Sequence, residues 1–373
     1  MLSEQRTYAF AGDPAPHLIT YTRNPLGQAT AIHAPEVDYT LAYDAAHRLA
    51  RVTDARGNAR LEYDWSPGGL LDTLRDDRGR QTDYLYDPTG RLTTLWAPDG
   101  ALIGYTFDDA GRLTRRDLPG GVSTQYDYLA DDALESLTTT APGGPIHSQG
   151  FTYDTLGRRA TMTETLGGVS RSHTYGYDAL SRLLSVDTGG AVEAWTYDAF
   201  GNRVTHTPPA GPVAHYVHDD AHQLLEIREG SPAGPLVGQL LYDANGNLTK
   251  QCTGNVTDLG NDCTGDDTLT LAYDALDRQV QATRTGLPAE SYTYDPQGRR
   301  IAKTVGATTT HYHYDGDALY QQVEGDWSDP VARYVHGAGI DSPILHYTAG
   351  QTLVYHQDGH NSVVATTDAA TGA

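Results

Sequence analysis

One short pattern, Tyr-Asp followed three residues later by a turn residue, recurs through the chain and limits what it can fold into. It appears at Tyr43-Asp44, Tyr63-Asp64, Tyr86-Asp87, Tyr126-Asp127, Tyr153-Asp154 and Tyr177-Asp178. It continues at Tyr197-Asp198, Tyr242-Asp243, Tyr273-Asp274, Tyr294-Asp295 and Tyr314-Asp315, with Phe107-Asp108 and His218-Asp219 as variants. Most steps between neighbours are 19 to 24 residues. Self-similarity at a fixed short period is the mark of a repeat architecture.

Each copy reads as a hairpin. Residues before the Asp alternate, as in Trp195-Thr196-Tyr197, and period 2 places alternate side chains on one sheet face. The Asp suits the first position of a type I turn, where its carboxylate accepts backbone N–H bonds. Gly90, Gly111, Gly157, Gly201, Gly246 and Gly298 stand three residues after the Asp. That position calls for positive φ, which glycine adopts without steric cost. His47, Pro67, Ala130, Ser181, His222, Asp277 and Ala318 hold it elsewhere; only some of these tolerate positive φ readily, so several of those turns are expected to differ in detail. One hairpin is not stable alone. Hairpins in series can pair edge to edge into a long twisting sheet. The expected fold is all-β: Tyr-Asp hairpins wound into a long spiralling sheet, a β-solenoid or a wide spiral barrel.

Composition agrees. There are 25 Tyr against 4 Phe and 4 Trp, and 40 Gly, a balance that favours strands and turns over a deep core. The formal charge of −22 argues against nucleic acid or an anionic membrane as partner, since both need clustered Lys and Arg. No stretch of 18 apolar residues is present, so no membrane span is expected. The start, MLSEQRTYAF, lacks the pattern of a signal peptide, and the end, TTDAATGA, brings no closing element; the sequence reads as a piece of a longer chain.

The run Y-D-x-x-G-R-L resembles the YD repeat of the Rhs family, which includes bacterial polymorphic toxins, insecticidal toxin-complex shells and teneurins. The resemblance extends from about Tyr21 to Asp368. The segment YHQDGHNSVVATTDAATG, Tyr355 to Gly372, is similar to the one that closes the Rhs core: Tyr355, Asp358, Ser362, Thr367 and Asp368 match, while His360 and Asn361 replace Leu-Gly. Arg333 to Tyr347 reads like its lead-in. The implied organisation is a lead-in at 1–20, a hairpin array at 21–332 and a core-associated segment at 333–373. The resemblance implies a non-catalytic shell segment of a secreted or surface toxin, enclosing or presenting a C-terminal toxin or cargo domain. Any self-cleavage region and the toxin would lie outside these residues. A secretion-system component is a further implied partner. The alternative is a surface adhesin whose tyrosine-rich faces bind glycan or protein.

Candidates for chemistry are few. Cys252 and Cys263 enclose a ten-residue loop, and a disulfide pinning it is the preferred reading, which places the chain in an oxidising compartment. His311 and His313 share a strand face but lack assignable metal partners; His215, His218 and His222 form a looser cluster. Asp243-Asn245-Asn247 mimics the start of a calcium loop, yet Gly254 stands where the acidic twelfth ligand belongs. Asp262, Asp266 and Asp267 read as solvated loop charge. Ser342 has no identifiable His-Asp partners, and no phosphate-binding or nucleophile-elbow motif occurs. The repeat Asp residues already have a structural role, so paired catalytic carboxylates are not inferred. The sequence therefore implies no catalytic residue, no metal and no cofactor.

Overall fold

The computed structural model describes residues 2–8, 17–258, 262–325, 330–337 and 342–373. Parts of the 1–20 lead-in, of the Cys252–Cys263 loop (259–261) and of the 333–347 segment (338–341) lie outside the described residues. The chain is all-β. Its helical pieces among the described residues are two 3-10 turns, Arg56–Asn58 and Pro119–Gly121. Among the described residues, thirty-three strands belong to one sheet, and the short pair Thr257–Asp258 with Cys263–Thr264 stands apart. Pairing is antiparallel between strands adjacent in sequence, as in Ala191–Tyr197 with Arg203–Thr207.

The repeat turn has a specific construction. In the Asp198 turn, the Asp198 amide donates to the Asn202 carbonyl at 3.0 Å and the Gly201 amide to the Asp198 carbonyl at 3.3 Å. The strand register then slips by one between Thr196 and Tyr197, which is a β-bulge that increases the local twist. Gly201 has φ of 95° and open space where a Cβ would stand. A side chain there would suffer backbone strain rather than a clash. Gly201→Val should therefore lower stability by about 1 kcal/mol, read as a drop in the urea midpoint; an unchanged midpoint would contradict this reading of the turn.

Four of the turns without glycine keep the same geometry. His47, Ser181, His222 and Asp277 take φ between 57° and 65°, and each donates its amide to the carbonyl of the turn Asp at 3.0 Å. The side-chain hydrogen bonds of the Asp sustain these left-handed residues. The other three, at Pro67, Ala130 and Ala318, differ, as several of these turns were expected to. Tyr63-Asp64 and Tyr126-Asp127 lie within strands Ala59–Trp65 and Val122–Tyr128. Their turns begin two residues later, at Ser66 and Leu129, and close on Gly69 and Asp132. Trp65 and Tyr128 thus hold the aromatic position. At Tyr314-Asp315 the hairpin closes through two residues, with Asp315 paired to Ala318.

The chain divides into two compact units, one of Met1–His147 with Thr293–Ala373 and one of Ser148–Tyr292. The first is layered. Its N-terminal and C-terminal runs of hairpins meet through side chains, giving mixed clusters such as Leu95, Ile103, Leu118 and Val122 with Ile344, Leu345 and Val354. A smaller cluster joins Leu61, Tyr63 and Leu74 to Tyr320. The described apolar clusters all fall in this unit. In the second unit, strands such as Leu183–Thr188 are half-buried at every position, as a sheet without a packed layer over it would be.

Candidate functional site: the repeat ladder and the seam

The recurring side chains of each repeat join it to the next. The turn carboxylate works with both oxygens. In Asp178, Oδ1 accepts the amides of Leu180 and Arg182 at 2.9 and 2.8 Å, and Oδ2 accepts Arg182 Nε at 2.6 Å. Asp87 and Asp154 repeat this arrangement with Arg91 and Arg158. Such bonds favour the ionised form, and the Asp178 carboxyl is held below its ordinary pKa because they outweigh its partial desolvation. The Arg then reaches forward. Arg182 Nη1 donates to the Asp198 carbonyl at 2.9 Å, and its guanidinium lies 4.8 Å over the Tyr197 ring. The Tyr reaches back: Tyr197 Oη donates to the Leu183 carbonyl at 2.8 Å. Tyr86, Tyr128, Tyr177 and Tyr242 make the same backward bond, to Leu71, Leu113, Arg159 and Leu224. Sequence reading placed Tyr197 as packing on a strand face; the hydroxyl and the Arg four residues after the Asp were the missed parts. The D-x-x-x-R spacing was the signal that could have found them.

The other turn residues fall into the same frame. Asp108 bonds Arg112, Asp243 bonds Asn247, and Asp295 bonds Arg299. Gly90, Gly111, Gly157, Gly246 and Gly298 have φ between 74° and 90°. Tyr153 and Tyr294 are half-buried in their strands. In the last segment, Asp358 accepts the amides of His360 and Ser362, and Asn361 takes φ of 64°. Tyr355 Oη lies 2.9 Å from His346 Nδ1, Thr367 Oγ1 lies 2.9 Å from His356 Nε2, and Asp368 accepts the amides of Ala370 and Thr371.

Within the first unit, a second set of bonds forms a seam between the two runs. Tyr63 Oη donates to Asp315 Oδ1 at 2.8 Å, Tyr320 Oη to Asp76 Oδ2 at 2.8 Å, Tyr347 Oη to Asp99 Oδ1 at 3.0 Å and Tyr39 Oη to Asp295 Oδ2 at 3.3 Å. Partners rise together along both runs, so the runs travel side by side in the same sense. Burial pushes the Asp315 carboxyl up, although the Tyr63 hydroxyl opposes the shift. A cavity of about 170 Å³ between the runs is lined by Asp54, Tyr63, Arg299 and His313. Burial raises the Asp54 pKa, but His313 and Arg56 outweigh it and hold the carboxyl below its usual value. Its oxygens lie 2.5 Å from Arg56 Nη2 and 3.2 Å from His313 Nδ1, so this carboxylate is already engaged. His311 and His313 belong to this network, and no group of three metal-ligating side chains occurs among the described residues.

The Cys252 and Cys263 sulfurs are bonded, and both residues are fully buried. Closing a loop this short stabilises by about 3 kcal/mol in the chain-entropy model. Reduction should lower the unfolding midpoint of the second unit accordingly; the same midpoint with and without reductant would contradict a stabilising role.

His356 is fully buried, and its pKa is lowered to about 4 by burial first, then by the Arg116 and His147 charges. Because the folded pKa lies below the unfolded one, the contribution is present above about pH 6.5 and is lost as pH falls toward 4. His356→Asn should flatten the stability profile in that window, as followed by urea unfolding at each pH; an unaltered profile would contradict the assignment.

The family described as Teneurin YD-shell matches residues 131–258, and the one described as RHS Repeat matches residues 86–125. Over these residues the chain is similar to YD-shell and RHS-repeat proteins. This YD-repeat chain is 31% identical over 202 residues to the tRNA3(Ser)-specific nuclease WapA of Bacillus spizizenii, covering 52% of the chain and 8% of that protein. It is 30% identical over 228 residues to the toxin protein Tse5 of Pseudomonas aeruginosa, covering 54% of the chain and 16% of that protein. It thus spans well under a fifth of the length of either relative. Among solved structures, the Photorhabdus luminescens Tc holotoxin pore matches 99% of the chain and 22% of its own, with a TM-score of 0.69 at 14% identity. That likeness is one of fold. No helix among the described residues is long and apolar enough to cross a membrane.

Proposed function

We propose that this YD-repeat chain is a non-catalytic wall segment of a secreted or surface-delivered toxin shell, one that encloses or presents a C-terminal toxin or cargo domain. The observation that carries the reading is the use made of the repeat side chains. The turn carboxylates, the arginines and the tyrosine hydroxyls bond one hairpin to the next, which is what a continuous wall requires. The same accounting leaves the motif carboxylates no unengaged pair of the kind hydrolysis uses. An adhesin would present tyrosine rings to a glycan; here rings such as Tyr177 and Tyr197 lie under guanidinium groups. The names of the relatives, a nuclease and a toxin, describe whole proteins many times longer than the matched region, and they support a wall that serves a separate active domain.

Limited proteolysis of the full-length gene product tests the proposal. Any segment held within the wall should resist protease until the wall is unfolded by denaturant. Cleavage of all of the sequence outside the wall at the rate of an isolated, unfolded segment would overturn it.

A further inference from the structure

A polar strip interrupts the apolar core of the first unit. Arg116 stands mid-strand in Leu113–Leu118 and is 5% exposed. Tyr105 and Thr124 are its cross-strand partners, and Thr124 pairs in turn with Thr139, their hydroxyls 3.0 Å apart. From the facing run come His356 and Gln357, 0% and 3% exposed. Arg116 Nη1 donates to Gln357 Oε1 at 2.9 Å. The Gln357 amide is itself occupied, donating to Ser342 Oγ at 3.4 Å.

The remaining donors are unanswered. Arg116 Nε and Nη2 have no hydrogen-bond partner, and neither has His356 Nδ1. Thr367 Oγ1 engages His356 Nε2 at 2.9 Å; if it donates there, Nδ1 carries the proton and points its N–H elsewhere. Three other guanidinium groups set between the two runs behave differently. Arg56, Arg80 and Arg299 each have a carboxylate oxygen within 2.6 Å. Arg116 meets only a neutral amide. An enclosed cation without a counter-charge is strongly disfavoured, and a guanidinium edge offers two parallel N–H groups that match the two oxygens of one anion.

We infer that Arg116 and His356 form a binding site for one small oxyanion, a carboxylate or a phosphate, held between the two hairpin runs of this unit. The Arg116 edge supplies the fork through Nε and Nη2, and His356 supplies a third donor. The anion neutralises the guanidinium and ties the N-terminal run to the C-terminal one. A free anion and an acidic side chain from a bound peptide present the same oxygens, and the two sources can be told apart experimentally.

The experiment is thermal unfolding of the whole chain with added sodium phosphate or sodium acetate, ionic strength held constant with sodium chloride. A ligand of the folded state raises the midpoint in proportion to the logarithm of its concentration above Kd. The expected result is saturable stabilisation by at least one of the two, absent in Arg116→Met and reduced in His356→Gln. Response to phosphate alone assigns the site to a free anion; response to acetate alone assigns it to a side-chain carboxylate. Should Arg116→Met fail to fold, calorimetric titration of the unaltered chain decides, with one anion per chain expected. No saturable binding beyond the chloride control would overturn the inference and leave bound water to satisfy these donors. Equal stabilisation of the unaltered chain and a folded Arg116→Met would overturn it too.

Discussion

Replacing Asp76 by alanine should cost the protein about 3–5 kcal/mol, the usual scale for removing one partner of a buried charged pair. Asp76 is 1% exposed. Its carboxylate accepts the amides of Arg78 and Arg80, Arg80 Nε at 2.5 Å and the Tyr320 hydroxyl at 2.8 Å. Alanine leaves a guanidinium, a phenol and two amides without their acceptor between the layers. The same substitution at Asp198, whose bonds stay within its own turn, should cost far less. Urea unfolding of the two variants side by side checks this. Equal losses would mean that the Asp76 bond across the seam contributes nothing beyond its turn.

The second large effect is expected at Leu345. It is fully buried in the cluster that unites the two runs, beside Leu95 and Ile103. Leu345→Ala removes apolar contact and leaves a cavity, for about 2–5 kcal/mol. Leu180 stands at the tip of a turn, 73% exposed, and Leu180→Ala should leave the unfolding midpoint where it was. A small loss at Leu345 would show that the layers of the first unit do not act as one core.

These two sites also mark how far the sequence could be read. The hairpin was legible because its determinants are local: Asp178, Ser181 and Arg182 lie within one turn, and alternation assigns the strand faces. The aromatic-Asp string alone misplaced two turns, since Tyr63-Asp64 and Tyr126-Asp127 satisfy it inside strands. The bulge residues Gly69 and Asp132 were the better guide, because the turn is set by which residue takes positive φ. Several non-glycine turns were expected to differ: those at Pro67, Ala130 and Ala318 do, while His47, Ser181, His222 and Asp277 keep the glycine geometry with the Asp carboxylate bracing the loop. The seam was not legible. Tyr320 and Asp76 are 244 residues apart, and nothing near either residue encodes that meeting. The same holds for Arg116, which in sequence is one more arginine in an alternating strand. The resemblance carried by the YD pattern supplied what periodicity could not: a likeness to proteins that build shells.

Electron cryomicroscopy of the full-length gene product tests whether these hairpins form wall. The expected result is a hollow particle whose wall shows strands about 4.8 Å apart, with the YD hairpins paired in series and density for a separate domain in or against the lumen. A solid globule, or an open particle with these hairpins exposed on both faces and no domain associated with them, would contradict it.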